Sequence, residues 1–269
     1  MPEIHSTAIV DPEVLLADDV VVGPHCVLTG PVQVGAGTRL LGNVYLTGPL
    51  QLGRDNLVYP FATLGFAPQD LGRDPTKPGA GVVIGDGNVF RESASVHRAT
   101  SDDTPTTIGD RNYWMVNSHA GHDSLVGSDC VFANGALLGG WVRVDDGVIA
   151  GGNTAIHQYC RVGRGALLSG TTGLNKDLPP FFMLTGGNVA GSMNVVGMRR
   201  SGMPGKEIDD VKWVFKTLYR RKLSFKQAID RMRTRADRPI VAEFLEFFGS
   251  SERGVVSGRG DPRRGTFGP

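Results

Sequence analysis

An apolar residue recurs at every sixth position of this chain from Ile4 to Leu174, with two interruptions. A hexapeptide repeat is typical of a parallel β-helix, in which three short strands make one triangular coil and stacked coils bury each other's apolar edges. The pattern therefore predicts a mainly β solenoid with the repeat residue pointing inward. The three uninterrupted runs are Ile4, Val10, Leu16, Val22, Leu28, Val34, Leu40, Leu46, Leu52, Val58 and Leu64; then Ile84, Phe90 and Val96; then Ile108, Trp114, Ala120, Val126, Phe132, Leu138, Val144, Ala150, Ile156, Val162, Leu168 and Leu174.

The position four residues after each repeat residue is usually small, which suits a crowded solenoid axis. All three cysteines, Cys26, Cys130 and Cys160, occupy this position. A zinc cluster would need paired thiolates at short spacing, and a secreted disulfide framework would need an even number of cysteines. We therefore interpret the cysteines as packing residues.

The repeat and the composition divide the chain into three parts. We predict a β-helix over residues 1–190, with insertions near residues 66–82 and 100–107, because the six-residue period is broken there. Beyond Leu174, a Pro-Pro pair and a Gly-rich bridge lead into a small α-helical domain over residues 191–255. Residues 256–269 are predicted to be a disordered tail.

Three helices are expected in the second domain. Pro204 lies near the start of the first, whose apolar residues have helical spacing. Ser224 with Gln227 has the pattern of a capping box at the start of the second. The third is predicted from about residue 239 to residue 248, before Gly249.

Charge is unevenly distributed, because residues 199–240 hold thirteen Lys or Arg against five Asp or Glu in a chain of net charge +1. A basic helical surface favours an acidic protein partner, although a merely solvated helix surface is the plainer interpretation. No segment is apolar enough to span a membrane, and the N-terminus lacks the features of a secretion signal. We therefore expect a cytoplasmic protein without membrane insertion, and nothing in the sequence predicts nucleic-acid binding.

Polar residues interrupt the apolar register most densely at residues 117–123. Residues 18 apart should stack in neighbouring coils about 4.8 Å apart. His122, Gly140, Gln158 and Lys176 are then expected in one column, with His157 beside it, and Asp123, Trp141 and Tyr159 in a second column.

The first column has the components of a proton-transfer site. An imidazole beside a carboxylate can act as a general base near neutral pH, which fits His122 with Asp123. A glycine at position 140 leaves a backbone N–H open to an oxyanion, as acyl transfer requires. A structural role, in which these histidines bond corner turns, is the alternative. We interpret His5 and His25 as structural, and His97 is ambiguous.

An ordered set of motifs carries a resemblance that covers essentially residues 1–255. The chain resembles the UDP-N-acetylglucosamine 3-O-acyltransferase family of lipid A biosynthesis, which has a left-handed β-helix. The matching motifs lie at residues 65–71, 91–93 with 97–98, 117–127, 151–158, 177–180, 194–200, and 247–248 with 253–254.

The resemblance implies transfer of a 3-hydroxyacyl chain from acyl carrier protein to the 3-hydroxyl of UDP-N-acetylglucosamine, the first step of lipid A synthesis. His122 would be the general base, Asp123 would orient it, and Gly140 would stabilise the oxyanion. Neither a cofactor nor a metal is implied. A homotrimer is expected, since flat-faced β-helices commonly place sites between subunits. Substrate contacts would come from Asp70, His119, His157, Gln158, Asn194 and Arg200, and Gly170 would set the depth of the acyl groove.

The chain departs from the family pattern at four positions near the expected site. Trp141 replaces a usual histidine, Gly72 a lysine, Val196 a glutamate and Val189 a histidine. Lost hydrogen bonds inside a site cost about 1–3 kcal/mol each, so these changes could alter nucleotide or sugar preference.

Three alternatives therefore stay open. The first is a divergent hexapeptide acyltransferase that uses another sugar nucleotide or acyl-CoA. The second is a non-catalytic trimeric binding paralogue. The third is a γ-type carbonic anhydrase with zinc on His119, His122 and His157, which would leave the sugar-nucleotide motifs unexplained.

Overall fold

Three sheets of short parallel strands form the walls of a triangular solenoid, which confirms the predicted left-handed β-helix. The computed structural model describes residues 1–258. In chain order the strands are β1 (Glu3–Ile4), β2 (Ile9–Val10), β3 (Leu15–Leu16), β4 (Val21–Val22), β5 (Val27–Thr29), β6 (Val32–Val34), β7 (Arg39–Leu40), β8 (Tyr45–Thr47), β9 (Leu50–Leu52), β10 (Leu57–Val58), β11 (Thr63–Phe66), β12 (Val82–Ile84), β13 (Val89–Phe90), β14 (Ser95–His97), β15 (Thr106–Ile108), β16 (Tyr113–Trp114), β17 (His119–Ala120), β18 (Leu125–Val126), β19 (Val131–Phe132), β20 (Leu137–Leu138), β21 (Arg143–Val144), β22 (Ile149–Ala150), β23 (Ala155–Ile156), β24 (Arg161–Val162), β25 (Leu167–Leu168), β26 (Gly173–Leu174), β27 (Phe182–Gly186), β28 (Val189–Met193) and β29 (Ser257–Gly258).

Up to β26 each sheet takes every third strand, so one coil of the chain contributes one strand to each wall. The sheet orders are β1-β4-β7-β10-β13-β16-β19-β22-β25-β27-β28-β29, then β2-β5-β8-β11-β14-β17-β20-β23-β26, and β3-β6-β9-β12-β15-β18-β21-β24. Neighbouring strands pair in register at a separation of 18 residues, as in Ile4↔Val22 and Val22↔Leu40. The separation grows to 32 for Val58↔Phe90 because a loop intervenes, which we call the first insertion loop (residues 67–81). A second insertion loop (residues 98–105) makes it 24 for Phe90↔Trp114.

The repeat residues form the core, as the sequence predicts. From Val22 to Leu174 they are buried, whereas Ile4 in the first coil is 44 % exposed. The widest core residues stack on one another, with Trp114 lying between Phe90 and Phe132 at ring-centroid distances of 6.1 and 3.9 Å. Burial of these rings contributes to the stability of the central coils.

The small inward positions are buried too. Cys26, Cys130 and Cys160 are free thiols in the core, so the interpretation of the cysteines as packing residues is confirmed. Burial raises the pKa of both Cys130 and Cys160 to about 12, which keeps these thiols protonated and unreactive.

Within residues 1–258, the C-terminal helical part contains four helices rather than the three expected. They are α1 (Val195–Arg200), α2 (Gly205–Tyr219), α3 (Phe225–Arg233) and α4 (Pro239–Gly249). The capping box is confirmed, because the Ser224 hydroxyl accepts from Gln227 N and the Gln227 side chain accepts from Ser224 N. Pro204 is the N-cap residue of α2, and Pro239 opens α4.

The Gly-rich bridge is not a loop but an antiparallel hairpin of β27 and β28, which extends the longest sheet. The predicted boundary at residue 190 therefore falls inside a strand. Phe182 of this hairpin contacts Phe215, Tyr219 and Phe244 at centroid distances of 5.1, 5.7 and 5.4 Å. The hairpin thus joins the solenoid to the helices through a shared aromatic core.

The beginning of the predicted disordered tail is ordered. Val255 and Val256 are buried, and β29 pairs with β28 in parallel. These residues are held because Tyr219 Oη donates a hydrogen bond to the carbonyl of Val256 at 2.7 Å. The prediction for residues 256–258 is therefore wrong, and the remaining residues 259–269 lie outside the described part of the chain.

Most basic side chains of the helical part are solvent-exposed, so they form a basic surface there. Arg238 pairs with Asp210, and Arg235 lies over the ring of Trp213. In residues 1–258, no helix is long and apolar enough to cross a membrane. The exposed basic residues are Arg199, Arg200, Lys206, Lys216, Arg220, Arg221, Lys222, Lys226, Arg231 and Arg233.

Candidate active site

His122 and Asp123 lie at the corner between β17 and β18. Asp123 adopts a left-handed backbone conformation (φ 58°), which Asp tolerates better than most residues. The Asp123 side chain is 2 % exposed and that of His122 is 12 % exposed. The carboxylate is therefore sealed inside the corner, while the imidazole keeps some access to solvent.

The two side chains form a hydrogen-bonded pair. His122 Nδ1 lies 2.7 Å from Asp123 Oδ2. Burial alone would raise the pKa of Asp123, but hydrogen bonds from His122 and from the backbone N–H groups of Thr100 and Ser101 outweigh it and lower the pKa below its usual value. Because an ionised carboxylate only accepts hydrogen bonds, Nδ1 of His122 carries the proton. In the neutral imidazole, Nε2 is then the nitrogen with a free lone pair.

Gly140 stacks directly against the imidazole, as the 18-residue spacing predicts. A Cβ atom built on Gly140 would lie 2.5 Å from His122 Cε1 and 2.6 Å from Nε2, so no other residue fits without moving the ring. Among residues 1–258, the Gly140 N–H has no acceptor. The base and an available backbone donor therefore lie side by side.

His119 joins this cluster from strand β17. Its Nδ1 lies 2.9 Å from the Ser95 hydroxyl, and its ring meets the edge of His97 at a centroid distance of 5.1 Å. Burial and the neighbouring His97 and His122 lower the pKa of His119 to about 4. Burial also lowers the pKa of His97. Both rings are therefore neutral at physiological pH.

These two histidines should make the fold less stable in mild acid. Their pKa values are about 6.5 in the unfolded chain and lower in the folded chain, so below pH 6.5 the unfolded state binds protons that the native state does not. Stability is then complete above about pH 6.5 and falls towards pH 4, with a slope of at most about 1.4 kcal/mol per pH unit for each histidine. Urea midpoints measured between pH 7 and 4.5 should show this fall, and His119→Gln should reduce it.

The exposed His5 provides the matched control for this pH dependence, because His5→Gln removes a histidine without removing a buried one. Equal slopes for His119→Gln and the native chain would contradict the explanation.

Trp141 lies one coil after Asp123 in the second column, and its ring stacks beside that of Tyr159. Their ring centroids are 6.1 Å apart and nearly parallel, at 14°. Trp141 is 38 % exposed and so is not a core residue. With Asp123, Arg143 and Arg161, the two rings line a cavity of about 240 Å³. Position 141, where this chain has Trp instead of the histidine usual in the family, is thus part of a concave surface beside His122.

Three other expected substrate residues are exposed. Asp70 lies in the first insertion loop, where Oδ1 accepts from Gly72 N at 2.8 Å in a local turn. His157 and Gln158 follow β23, and His157 Nδ1 lies 3.2 Å from the carbonyl of Gln158. Val196, at the first turn of α1, is 58 % exposed.

Asn194 has a structural task that the sequence did not reveal. It is the N-cap of α1: Oδ1 accepts from Gly197 N at 2.9 Å, and Nδ2 donates to the carbonyl of Gly165 at 3.0 Å. The residue is 6 % exposed. One amide hydrogen and a second lone pair are what a ligand could still use.

Gly170 and Arg200 are both exposed. A Cβ atom on Gly170 would lie 3.2 Å from the carbonyl oxygen of Gly152, a tight contact in an otherwise open position. Arg200 is in the last turn of α1. Within residues 1–258, neither Asp70, Asn194 nor Arg200 makes a hydrogen bond or ion pair with His122 or Asp123.

Sequence reasoning missed the second insertion loop as part of the site. Thr100 and Ser101 bond the Asp123 carboxylate at separations of 23 and 22 residues, and Ser95 meets His119 at a separation of 24. The insertion adds residues to the coil, so a search at a spacing of 18 passes over these partners. A search at a spacing of 24, which is 18 plus the six residues that this insertion adds to the coil, would have found Ser95.

Metal ligation was the third alternative drawn from the sequence. Over the described residues, no group of three His, Cys, Asp or Glu side chains is placed to hold a metal ion.

Comparison with known proteins agrees with the fold. A family model described as UDP-N-acetylglucosamine O-acyltransferase, domain 2, matches residues 177–256. The solved structure of Francisella novicida UDP-N-acetylglucosamine acyltransferase has a TM-score of 0.93 and 32 % identity, over 97 % of this chain and 96 % of its own. Fold and site together define an acyltransferase of the hexapeptide-repeat class.

Two curated relatives match along nearly their whole length. Both are named acyl-(acyl-carrier-protein):UDP-N-acetylglucosamine O-acyltransferase. The chain belongs to this O-acyltransferase family. The protein of Thermodesulfovibrio yellowstonii is 38 % identical over 95 % of this chain and 99 % of its own. That of Ectopseudomonas mendocina is 39 % identical over 95 % and 100 %.

Proposed function

We propose that this chain transfers a 3-hydroxyacyl group from acyl carrier protein to the 3-hydroxyl of UDP-N-acetylglucosamine, with His122 as the general base. The observation that carries this proposal is the 2.7 Å contact between His122 Nδ1 and the buried Asp123 carboxylate. That contact leaves Nε2 as the proton acceptor. The names of the relatives supply the donor and the acceptor.

The chemistry follows from the positions of three groups. His122 Nε2 takes the proton of the sugar hydroxyl while the hydroxyl oxygen attacks the thioester carbonyl carbon. The N–H of Gly140 stabilises the oxyanion of the tetrahedral intermediate, and Asp123 stabilises the imidazolium. When the carbon–sulfur bond breaks, the thiolate of the carrier protein leaves and takes the proton from His122. No covalent acyl-enzyme is formed.

The acceptor would be bound by polar side chains around the base. His119, which is neutral, lies on the same coil as His122. The exposed His157 and Gln158 lie on the coil that follows Gly140. We assign the sugar hydroxyls to Asp70 and the phosphates to Arg200. Asn194 is assigned to the uracil, through the hydrogen-bonding capacity that its capping role leaves.

The donor protein is expected to dock on the helical part. Acyl carrier protein is acidic, and the exposed arginines and lysines of α1, α2, α3 and the α2–α3 connection provide complementary charge. We also propose a homotrimer, because three outward-facing residues of the second sheet are apolar and exposed, namely Ile9 (61 %), Tyr45 (39 %) and Leu137 (45 %). A cytoplasmic location stays a prediction.

The direct test is a panel of donors and acceptors. Purified chain is incubated with 3-hydroxyacyl carrier proteins of several lengths, or with the matching acyl-CoA, and with UDP-N-acetylglucosamine, its 3-amino analogue or UDP-N-acetylgalactosamine. The expected result is an ester on UDP-N-acetylglucosamine with the carrier-protein donor. Preference for another acceptor would mean that the departures from the family pattern at Trp141, Gly72 and Val196 have altered the sugar-nucleotide specificity. Acyl-CoA as the better donor, or binding without transfer, would contradict the proposal.

Chain-length preference should depend on Gly170. We expect Gly170→Met to move the preferred donor to a shorter acyl chain, because the added side chain occupies space that is open beside Gly152. Transfer rates across the donor lengths measure this shift. Gly187→Met is the matched control, since nothing lies within 4 Å of its built Cβ. An unchanged length profile for Gly170→Met would refute the role of this residue.

A further inference from the structure

The carboxylate of Asp123 accepts hydrogen bonds from four groups, and only one of them belongs to the base. The His122 ring donates from Nδ1. The other donors are Thr100 N, Thr100 Oγ1 and Ser101 N, at 2.7–3.1 Å. Three of the four donors therefore come from the second insertion loop.

Three of these donors meet at the same oxygen atom. Asp123 Oδ2 accepts from His122 Nδ1 at 2.7 Å, from Thr100 Oγ1 at 2.7 Å and from Thr100 N at 3.0 Å. The Thr100 hydroxyl, which makes the shorter of the two bonds from this residue, withdraws part of the negative charge of the oxygen and restricts the direction from which the imidazole can bond it. The orientation of the ring and the charge that it meets thus both depend on Thr100.

We propose that Thr100 is a positioning residue for the acyl transfer: its hydroxyl holds the Asp123 carboxylate in the orientation that keeps His122 Nε2 aimed at the acceptor. In this arrangement the buried carboxylate of Asp123 orients the base His122, and Thr100 in turn orients the carboxylate. It rests on the proposed function only in that His122 is the base.

Contacts with the first insertion loop hold the second insertion loop in place, so the position of Thr100 is fixed. Arg73 of the first insertion loop pairs with Asp102 at 2.6 Å. The buried Arg98 donates to the carbonyl of Pro75 at 2.9 Å, and Ala80 N donates to the carbonyl of Ser101 at 2.8 Å. Thr100 therefore belongs to a two-loop structure rather than to a free-standing loop.

The charged and titratable groups that act on His122 are few among the described residues. Asp123 contacts it directly, while His97 and His119 interact with it through space and are neutral near pH 7. A change in the pH profile that follows a change at Thr100 would therefore come through Asp123.

The test compares two substitutions at Thr100. Thr100→Val removes the hydroxyl and keeps the branched shape, whereas Thr100→Ser keeps the hydroxyl. We expect Thr100→Val to lower kcat about tenfold, with KM for UDP-N-acetylglucosamine within about twofold of the native value. Because the carboxylate then presents more charge to the imidazolium, the acid limb of the kcat profile should move up by about half a pH unit. Thr100→Ser should restore most of both.

Thr107→Val is the matched control, because the Thr107 hydroxyl contacts only the Pro105 carbonyl, at 3.2 Å, among the described residues. It should behave as the native enzyme. An unchanged pH profile in Thr100→Val would overturn the proposal. So would a loss of kcat that Thr100→Ser does not restore, because the loss would then come from the shape of the loop.

A spectroscopic measurement separates this inference from the proposed reaction. In ¹⁵N-histidine NMR of the native chain, His122, assigned with a His122→Gln variant, should be protonated at Nδ1 and not at Nε2. Thr100→Val should shift its Nδ1 proton resonance or mix the tautomers, and Thr107→Val should not. If the native chain transfers no acyl group, the proposed reaction fails while this comparison still decides the role of Thr100. An identical His122 spectrum in Thr100→Val overturns it.

Discussion

His122→Ala should lower the rate of acyl transfer by about 10²–10⁴-fold, the usual contribution of a positioned general base. Without the imidazole, no group at Nε2 accepts the sugar-hydroxyl proton, and the buried Asp123 cannot replace it because its pKa is lowered. Initial rates with acyl carrier protein and UDP-N-acetylglucosamine measure the loss. Binding of UDP-N-acetylglucosamine, followed by calorimetry, should change far less than the rate.

His5→Ala is the matched control for this experiment. His5 is exposed and its side chain hydrogen-bonds only the neighbouring Thr7 among the described residues, so the loss of the imidazole should leave the rate unchanged. If His122→Ala retained more than about a tenth of native activity, the base would have to be sought elsewhere, since such a loss is below the range for general-base catalysis.

Trp114→Ala should have the largest effect on stability, lowering the free energy of unfolding by about 3–5 kcal/mol. The indole is fully buried between Phe90 and Phe132, and its Nε1 has no hydrogen-bond partner among the described residues. Its removal therefore leaves a cavity that two neighbouring coils must share. Urea unfolding at fixed protein concentration measures the change.

Leu71→Ala serves as the control for Trp114→Ala, because Leu71 is fully exposed in the first insertion loop. Exposed substitutions of this kind change stability by less than about 0.5 kcal/mol. A loss for Trp114→Ala no larger than that for Leu71→Ala would mean that the central stack does not stabilise the solenoid.

The solenoid could be predicted from the sequence because its only long-range rule is a constant spacing. Once one coil takes 18 residues, pairs such as Val22 and Leu40 follow by addition. The inward cysteines and the capping box at Ser224 were predictable for the same reason, since each depends on residues close in sequence or at a fixed interval.

The end of the solenoid could not be predicted in this way. The β27–β28 hairpin has no six-residue period, and its glycines resemble a linker. Helix α1 has only six residues, too few for a periodic apolar face. The pairing of Ser257 with Val189 joins segments 68 residues apart through contacts that no local pattern encodes.

The candidate site also contains both contacts that follow from the constant spacing and contacts that do not. His122 over Gly140, and Trp141 over Tyr159, follow from the constant spacing and were anticipated. The contacts of Thr100 with Asp123 were not, because the insertion alters the count. The cap formed by Asn194 was missed because the helix that it caps was missed.

The uninterrupted register after residue 108 has a consequence for how this protein can change over generations. A deletion of one residue between His122 and Gly140 would carry the glycine away from the imidazole and turn every later inward side chain outward, since successive side chains along a strand point to opposite faces of the sheet. Length variation is therefore confined to corners, where both insertion loops lie. A new substrate specificity can therefore arise through substitutions, such as the tryptophan at position 141, which keep the six-residue register unchanged.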